Sequence, residues 1–178
     1  MRKTIEFDLF GNMYRVKEFA AAYGVEVLCA ADGNPSHPIT VLQCCHVWNG
    51  NEWIPLDSRQ TINALVTDAA KMTQPAQVLE QLIARVYQFN FDFLQSWKPV
   101  HVPRRLMTEL PKDMEDPRID PVISLIAMAD KATMRELEEY YSTRDAFKMY
   151  DMIAIDGLNK ALGTEAAIAD AKSKARRH

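Results

Sequence analysis

Residues 3–16, KTIEFDLFGNMYRV, decide how the fold begins. Apolar side chains occupy every second position of the first half: Ile5, Phe7 and Leu9. The residues between them are polar, and this period of two predicts a half-buried β-strand. Gly11-Asn12 supplies a turn, after which residues 13–16 can return as the partner strand. The stretch therefore predicts an N-terminal β-hairpin.

The chain between this hairpin and residue 54 predicts a helix, a loop and a second hairpin. Residues 19–23 are Ala-rich and predict a short helix that Gly24 ends. Residues 32–38 are dense in turn formers and predict a loop. Residues 39–48 are β-branched and apolar enough for a strand, and Asn49-Gly50 is a strong hairpin signal before a further short strand.

The sequence pattern after Pro55 predicts helices. Ser58 can cap a segment whose apolar residues recur at helical spacing. Thr73, with Pro75 just inside, begins a longer helix that runs as far as Trp97. Its apolar stripe is Leu79, Leu82, Ile83, Val86, Phe93 and Trp97.

The last third predicts helices only. Asp120-Pro121 opens the first, and the Thr133/Glu136 and Ser142/Asp145 pairs have the spacing of a capping box or a near variant. The final long helix is expected over residues 143–162, where Gly163 breaks it and Thr164 can cap a tail rich in Ala and Lys.

A polar stretch with two prolines, residues 110–120 (LPKDMEDPRID), separates the two halves and lacks apolar periodicity. The predicted organisation is an α+β domain over residues 1–110, a linker over 111–119 and a helical C-terminal domain over 120–178. In this α+β fold, N-terminal β-hairpins pack on helices and an all-helical part follows.

Composition and net charge argue against nucleic-acid and membrane partners. The 178 residues are 48% apolar, and 21 Lys plus Arg against 24 Asp plus Glu leave a net charge of −3. No basic field favours nucleic acid, and no apolar run reaches the roughly 18 residues of a membrane span. We therefore expect a cytoplasmic protein with no nucleic-acid or membrane partner.

The residues with reactive side chains carry no catalytic motif. Cys44-Cys45-His46, with His37 and Cys29 nearby, contains the residue types that bind zinc. However, the side chains of adjacent cysteines on a strand point to opposite faces, which argues against a shared metal. The carboxylates of the last third alternate with Arg and Lys, as on solvated helix faces. No glycine-rich phosphate loop, GxSxG or HExxH sequence is present. The sequence predicts no enzyme, no cofactor and no metal.

Two regions contain more apolar surface than short helices can easily bury. Residues 87–97 contain five Phe, Tyr or Trp rings, and residues 140–152 are rich in aromatics and Met. Such residues either lie in a core or face a partner, and both interpretations stay open at this level. The basic C-terminal tail, which contains Lys172 and Lys174, can likewise contact an acidic partner or only add solubility.

Three segments resemble the tail assembly chaperones of tailed bacteriophages. They are KTIEFDLFGNMYRVKEF, VLEQLIARVYQFNFDFLQSW and DPVISLIAMADKATMRELEEYYSTRDAFKMYDMIAIDGLNK. The resemblance implies a non-enzymatic chaperone in the host cytoplasm that binds and solubilises the tape measure protein during tail assembly. The tail tube protein is a further candidate partner, and a homo-oligomer is also possible.

The aromatic excess then supplies the expected contact residues. These are Phe91, Phe93 and Trp97, or Tyr140, Tyr141, Phe147 and Tyr150. Two alternatives stay open. A structural virion component, such as a minor tail or head-tail joining protein, would use the same surfaces, whereas a small regulatory protein would bind a host factor through its acidic helices or basic tail.

Overall fold

The computed structural model describes residues 2–30, 37–103 and 120–175. A four-stranded antiparallel sheet in the order β1-β2-β3-β4 is followed by helices, which confirms the predicted α+β fold with a helical C-terminal part. The strands are β1 Thr4–Leu9, β2 Asn12–Lys17, β3 Cys45–Trp48 and β4 Trp53–Pro55. The helices are α1 Ala21–Ala30, α2 Pro38–Leu42, α3 Arg59–Leu65, α4 Pro75–Phe91, α5 Pro121–Met128, α6 Met134–Glu139 and α7 Thr143–Ala175.

The first hairpin forms as predicted, with its turn one residue earlier than expected. Phe10 and Gly11 form the two-residue loop, and both have positive φ, 52° and 78°. A turn in which both loop residues adopt left-handed angles matches the right-handed twist of the strands. Glycine adopts such angles without strain, and it takes the second loop position. A β carbon on Gly11 would also lie 2.9 Å from Ala69 Cβ, so the loop after α3 can approach closely.

Two predictions before β3 were wrong. The helix α1 continues through Gly24 to Ala30, since a single glycine costs a helix only about 1 kcal/mol, and α7 approaches closely at that position. The predicted strand at residue 39 begins instead as the short helix α2, since Pro38 suits a first helical turn and the His37 side chain accepts a hydrogen bond from the Ile39 N–H. The strand itself starts only at Cys45, and the second hairpin then follows as predicted.

The sheet and α4 enclose the larger core. Tyr14, Val16, Cys45 and Val47 point from β2 and β3 onto the buried face, where Leu82 is among the core residues contributed by α4. Ser58 caps α3 as predicted, through a capping box with Thr61. The helix α4 starts after Gln74 rather than Thr73 and ends at Phe91, where a 3₁₀ turn over Asp92–Gln95 takes over.

The C-terminal helices pack around a second core. Asp120 caps α5, Thr133 and Glu136 form a capping box before α6, and Ser142 and Asp145 exchange the same pair of bonds before α7. These predicted helix starts are confirmed. The buried residues are Ala21 and Val25 of α1 together with Ile123, Ile126, Ala132, Leu137 and Ala146. The helix α1 therefore packs directly against the C-terminal helices.

The break predicted at Gly163 does not occur. The helix α7 runs unbroken for 33 residues, and the Thr164 hydroxyl donates to the Lys160 carbonyl inside the helix instead of capping a new one. A single glycine costs a helix only about 1 kcal/mol, and this segment is otherwise rich in Ala. Ion pairs of 2.8 Å between Asp156 and Lys160 and between Asp170 and Lys174 support it.

The predicted linker over residues 111–119 lies outside the described residues. Across the described ranges, no helix combines the length and apolar character needed to cross a bilayer.

Candidate protein-binding surfaces

The predicted contact residues have very different accessibilities. Phe91 lies in the larger core with 9% of its surface exposed, so it offers little area to a partner. Phe93, Trp97, Tyr141, Phe147 and Tyr150 are half-buried. Tyr140 is 53% exposed, and one side of its ring stands edge-on to Tyr141 at 5.1 Å between centroids. Only Tyr140 of this set is free to present most of a ring to another protein.

The structure brings the two predicted sets together. The Phe147 ring of α7 stands edge-on to Phe93 at 5.5 Å and to Trp97 at 4.9 Å between ring centroids. This edge-to-face geometry is favourable for aromatic pairs. Much of the aromatic surface that exceeds the needs of single helices is therefore covered where α7 crosses the 3₁₀ turn after α4.

Polar bonds hold the same crossing. The Trp97 indole Nε1 donates to Asp151 Oδ2 at 2.8 Å. Arg144 Nη2 lies 2.7 Å from Asp92 Oδ1, and its guanidinium is 5.3 Å from the centre of the Phe93 ring. These bonds join the two halves of the described chain, and we assign them a structural role.

The accessible apolar side chains lie mostly on the C-terminal helices. Eight of the eleven exposed large apolar side chains in the described part of the chain are on α5, α6 and α7 or next to them. We call these eight the C-terminal apolar surface: Leu125, Met128, Met134, Tyr140, Met152, Ile155, Leu162 and Ile168. Met128 and Met152 are the most open, at 79% and 58% exposed.

Sequence reasoning singled out Met152 but missed Met128. A hydrophobic side chain on a short helix is predicted to be buried unless it is known which face of the helix packs against the rest of the protein. In α5 the buried residues are Ile123 and Ile126, so Met128 falls on the outer side at the C-terminal end. No signal in the sequence distinguishes it from its buried neighbours.

The distal half of α7 adds length to this surface. Only Thr143 and Ala146 of the helix are fully buried, and the residues from 162 to 175 are all exposed. Ile155, Leu158 and Leu162 share one side of the helix at spacings of three and four residues. The Asp156–Lys160 and Asp170–Lys174 pairs lie on another side, so the apolar side stays uncharged between residues 155 and 162.

A second accessible patch lies on the outer face of the sheet, and sequence reasoning did not single it out. Trp48 and Trp53 face each other across the β3-β4 hairpin with centroids 5.4 Å apart. The Arg15 guanidinium lies 4.1 Å from the Trp53 ring and is bound by Glu6 at 2.7 Å. The alternation of β2 and β3 predicts this face, but only the sheet order places the four side chains together.

The cysteines do not form a reactive centre. Cys45 is buried, and Cys44 is half-buried beside it. Burial raises the pKa of the Cys44 thiol to about 12 and raises the pKa of Cys45 further. Because the thiolate is the nucleophile and the metal ligand, both thiols are poor at either role. Among the residues described here, no three His, Cys, Asp or Glu side chains are placed to hold a metal ion.

The basic tail is only partly described. Lys174 pairs with Asp170 along α7, and Lys172 lies exposed on the last turn of the helix. The remaining basic residues, 176–178, are beyond the described ranges.

Comparison with known proteins finds no matching family model, no matching curated protein and no matching solved structure. The candidate surfaces are therefore interpreted from their own geometry and chemistry.

Proposed function

We propose that this protein is a tail assembly chaperone of a tailed bacteriophage, which acts in the host cytoplasm. It binds the tape measure protein and keeps it soluble until the tail polymerises around it. The observation that carries the proposal is the C-terminal apolar surface, where the exposed Met, Leu, Ile and Tyr side chains of the described chain are concentrated. The resemblance of the three sequence segments supports the same assignment.

Methionine suits a surface that must accept many different apolar sequences. Its side chain is unbranched and polarisable, and it adapts to irregular partners. Met128, Met134 and Met152 lie on three successive helices. A long apolar partner presents a changing series of side chains, and a Met-rich surface can pack against each of them.

The shape of the surface also fits a helical partner. Residues 155–162 of α7 offer an apolar side against which another amphipathic helix can pack, as helices pack in grooves and coiled coils. Removal of these side chains from water supplies the binding energy, at about 25 cal/mol for each Å² of apolar surface buried. Binding is then non-enzymatic and can be repeated along the partner.

Co-expression with the tape measure protein of the same genome tests the proposal. We expect the wild-type chain to increase the soluble fraction of the tape measure protein and to co-elute with it. The double variant Met128→Ser/Met152→Ser should lose most of this effect, because two exposed apolar anchors are removed without touching either core.

Met72→Ser is the matched control. Met72 is 88% exposed but lies in the loop before α4, away from the C-terminal helices. If wild type leaves the solubility of the tape measure protein unchanged, or if Met72→Ser weakens binding as much as the double variant, the proposal is wrong. Mass spectrometry of purified particles adds an independent check, since a chaperone should be absent from the mature virion.

A further inference from the structure

The outer edge of β1 presents a row of backbone groups that no other strand of the described residues covers. Glu18 N donates to Lys3 O, so Lys3 and Glu18 form a hydrogen-bonded pair of the β1-β2 ladder. In an antiparallel ladder such pairs alternate with pairs whose backbone groups point away from the partner strand. The N–H and C=O groups of Thr4, Glu6 and Asp8 therefore point outward, and within the described part of the chain none of them makes a backbone bond outside the ladder.

The two edges of the sheet differ in how they are protected. The other edge strand, β4, is three residues long and ends in Pro55, and a proline cannot donate to an added strand. The strand β1 is six residues long, about 20 Å at the usual rise of a strand, and contains no proline. Only β1 is long enough to pair with an extended segment of another chain.

A groove runs beside this edge. A cavity of about 350 Å³ lies between Phe7, Asp8 and Leu9 of β1 and the exposed flank of α4. The α4 wall includes Gln81, Arg85 and Gln88, and the Arg85 guanidinium lies 5.6 Å from the Phe7 ring. An added strand would direct alternate side chains into this groove, where Arg85 disfavours a second cation.

The outer side of the same edge carries two carboxylates, Glu6, which binds Arg15 of β2 at 2.7 Å, and Asp8. The side chains of Thr4, Glu6 and Asp8 are all exposed on the face opposite the core. Residues directly opposite on paired strands have β carbons about 5 Å apart, so charges there interact. Lys or Arg side chains on an added strand would meet Glu6 and Asp8.

The same charges disfavour a second copy of this chain. When the whole of β1 pairs with its own copy across a two-fold axis, Glu6 lies opposite Glu6 of the other copy. Like charges directly opposite each other destabilise a strand pair. The charge pattern therefore favours a different, basic occupant.

We propose that the free edge of β1 binds an extended segment of another protein, which adds a fifth strand to the sheet. The segment carries Lys or Arg at alternate positions, on the side that faces Glu6 and Asp8. Its other side chains are uncharged and lie in the groove beside α4. This surface is separate from the C-terminal apolar surface, and the proposal does not depend on the proposed function.

A capped heptapeptide that alternates lysine with valine tests this on the intact protein. In NMR titration we expect the largest amide shifts at Thr4, Glu6 and Asp8, with slower hydrogen exchange of these three amides. A matched peptide that alternates glutamate with valine should bind at least tenfold more weakly. The added strand is antiparallel to β1, so the lysines opposite Glu6 and Asp8 form the hydrogen-bonded pairs with them. A lysine–valine peptide methylated on its lysine backbone nitrogens should therefore not bind.

The variant Glu6→Pro tests the edge from the protein side. The Glu6 N–H points outward, so the proline leaves the β1-β2 ladder intact and blocks the added strand. We expect loss of peptide binding in Glu6→Pro, and weakened binding in Glu6→Gln, which keeps the N–H and loses the charge. If Glu6→Pro proves unstable, the methylated peptide still tests on wild-type protein whether binding uses backbone hydrogen bonds to β1.

Several results would overturn the proposal. These are no binding of the lysine–valine peptide, equal binding of the glutamate and methylated peptides, or amide shifts that lie away from β1. Protection of the three amides that rises with protein concentration, with dimers in sedimentation, would show that a second copy occupies the edge instead.

Discussion

Thr143 fills the space that a side chain on Gly24 would need. A β carbon at Gly24 would overlap Thr143 Oγ1 and lie 3.0 Å from Thr143 Cβ. The first turn of α7 thus rests directly on the backbone of α1, and this contact closes the second core beside Ala21 and Ala146.

We therefore expect Gly24→Ala to lower the free energy of unfolding by about 1–3 kcal/mol, the usual cost of overpacking a close contact. Thr143→Ala in the same chain should recover part of the loss, because it removes the overlapping hydroxyl. Urea denaturation of the two single variants and the double variant measures this coupling.

Gly157 provides the control for helix propensity. It also lies inside a helix, but no atom lies within 4 Å of a β carbon placed there. Gly157→Ala should raise the free energy of unfolding by about 0.5–1 kcal/mol. If Gly24→Ala is equally stabilising, the close contact between α1 and α7 is absent in solution.

A second prediction concerns Asn90, which is buried at the end of α4. Its Oδ1 accepts from the Phe19 N–H at 2.7 Å, and its Nδ2 donates to the Val86 carbonyl at 2.9 Å. Asn90→Leu leaves the Phe19 N–H buried without an acceptor, so we expect a loss of about 1–3 kcal/mol in the free energy of unfolding.

Thermal or urea unfolding checks this result. Asn63→Leu is the matched control, because Asn63 is exposed on α3 and its replacement should change stability by less than about 0.5 kcal/mol. Equal effects of the two substitutions would contradict a bridging role for Asn90.

A third prediction links the loop before α4 to pH. The Asp68 carboxylate accepts from the N–H groups of Ala70, Met72 and Thr73 at 2.8–3.1 Å. These bonds, led by the one from Ala70, lower the pKa of Asp68. A carboxyl group whose pKa is lowered in the folded state stabilises the protein at pH values above its ordinary pKa, which is about 4. That stability is lost as the pH falls through the lowered pKa.

We expect Asp68→Asn to lower Tm at pH 7 and to have a smaller effect as the pH falls through the lowered pKa of the wild-type carboxyl. Melting curves from pH 2 to 7 measure the difference. Asp57→Asn, at an exposed position after β4, serves as the control and should leave Tm nearly unchanged. A Tm difference for Asp68→Asn that stays constant over this range would contradict the assignment.

A fourth prediction concerns thiol reactivity. Cys29 is exposed, whereas burial raises the pKa of the Cys44 thiol to about 12 and raises that of Cys45 further. At pH 8 we expect one thiol to react rapidly with a chromogenic disulfide in the folded protein and two to react only on unfolding. The variant Cys29→Ser should abolish the rapid phase, and a rapid phase that survives would place a reactive thiolate at Cys44 or Cys45.

Much of the fold could be predicted from local sequence because the relevant signals are local. Alternation along β1, the Asn49-Gly50 turn and the caps at Ser58, Asp120 and Thr133 depend on residues within a few positions of one another. Some failures were local as well, since Pro38 and the His37 side chain start α2 where a strand was predicted. Gly24 differs, because the reason for a glycine inside α1 is Thr143, far along the chain, which occupies the space that a side chain would need.

The candidate surfaces divide in the same way. An excess of aromatic and Met side chains is visible in residues 87–97 and 140–152. The sequence does not show which of them face solvent, because Phe147 is covered by Phe93 and Trp97, which lie in the 3₁₀ turn after α4 and just beyond it. Met128 and the paired Trp48 and Trp53 emerge as accessible only when the helices and the sheet are assembled.

The sequence by itself determined the α+β class, the near-neutral charge and the helix starts at Ser58, Asp120, Thr133 and Ser142, since composition, periodicity and capping act over short distances along the chain. Tertiary structure alone decided which apolar side chains remain exposed and which edge of the sheet stays open. Burial depends on contacts between residues far apart in sequence, and an edge exists only once every strand has found its neighbours.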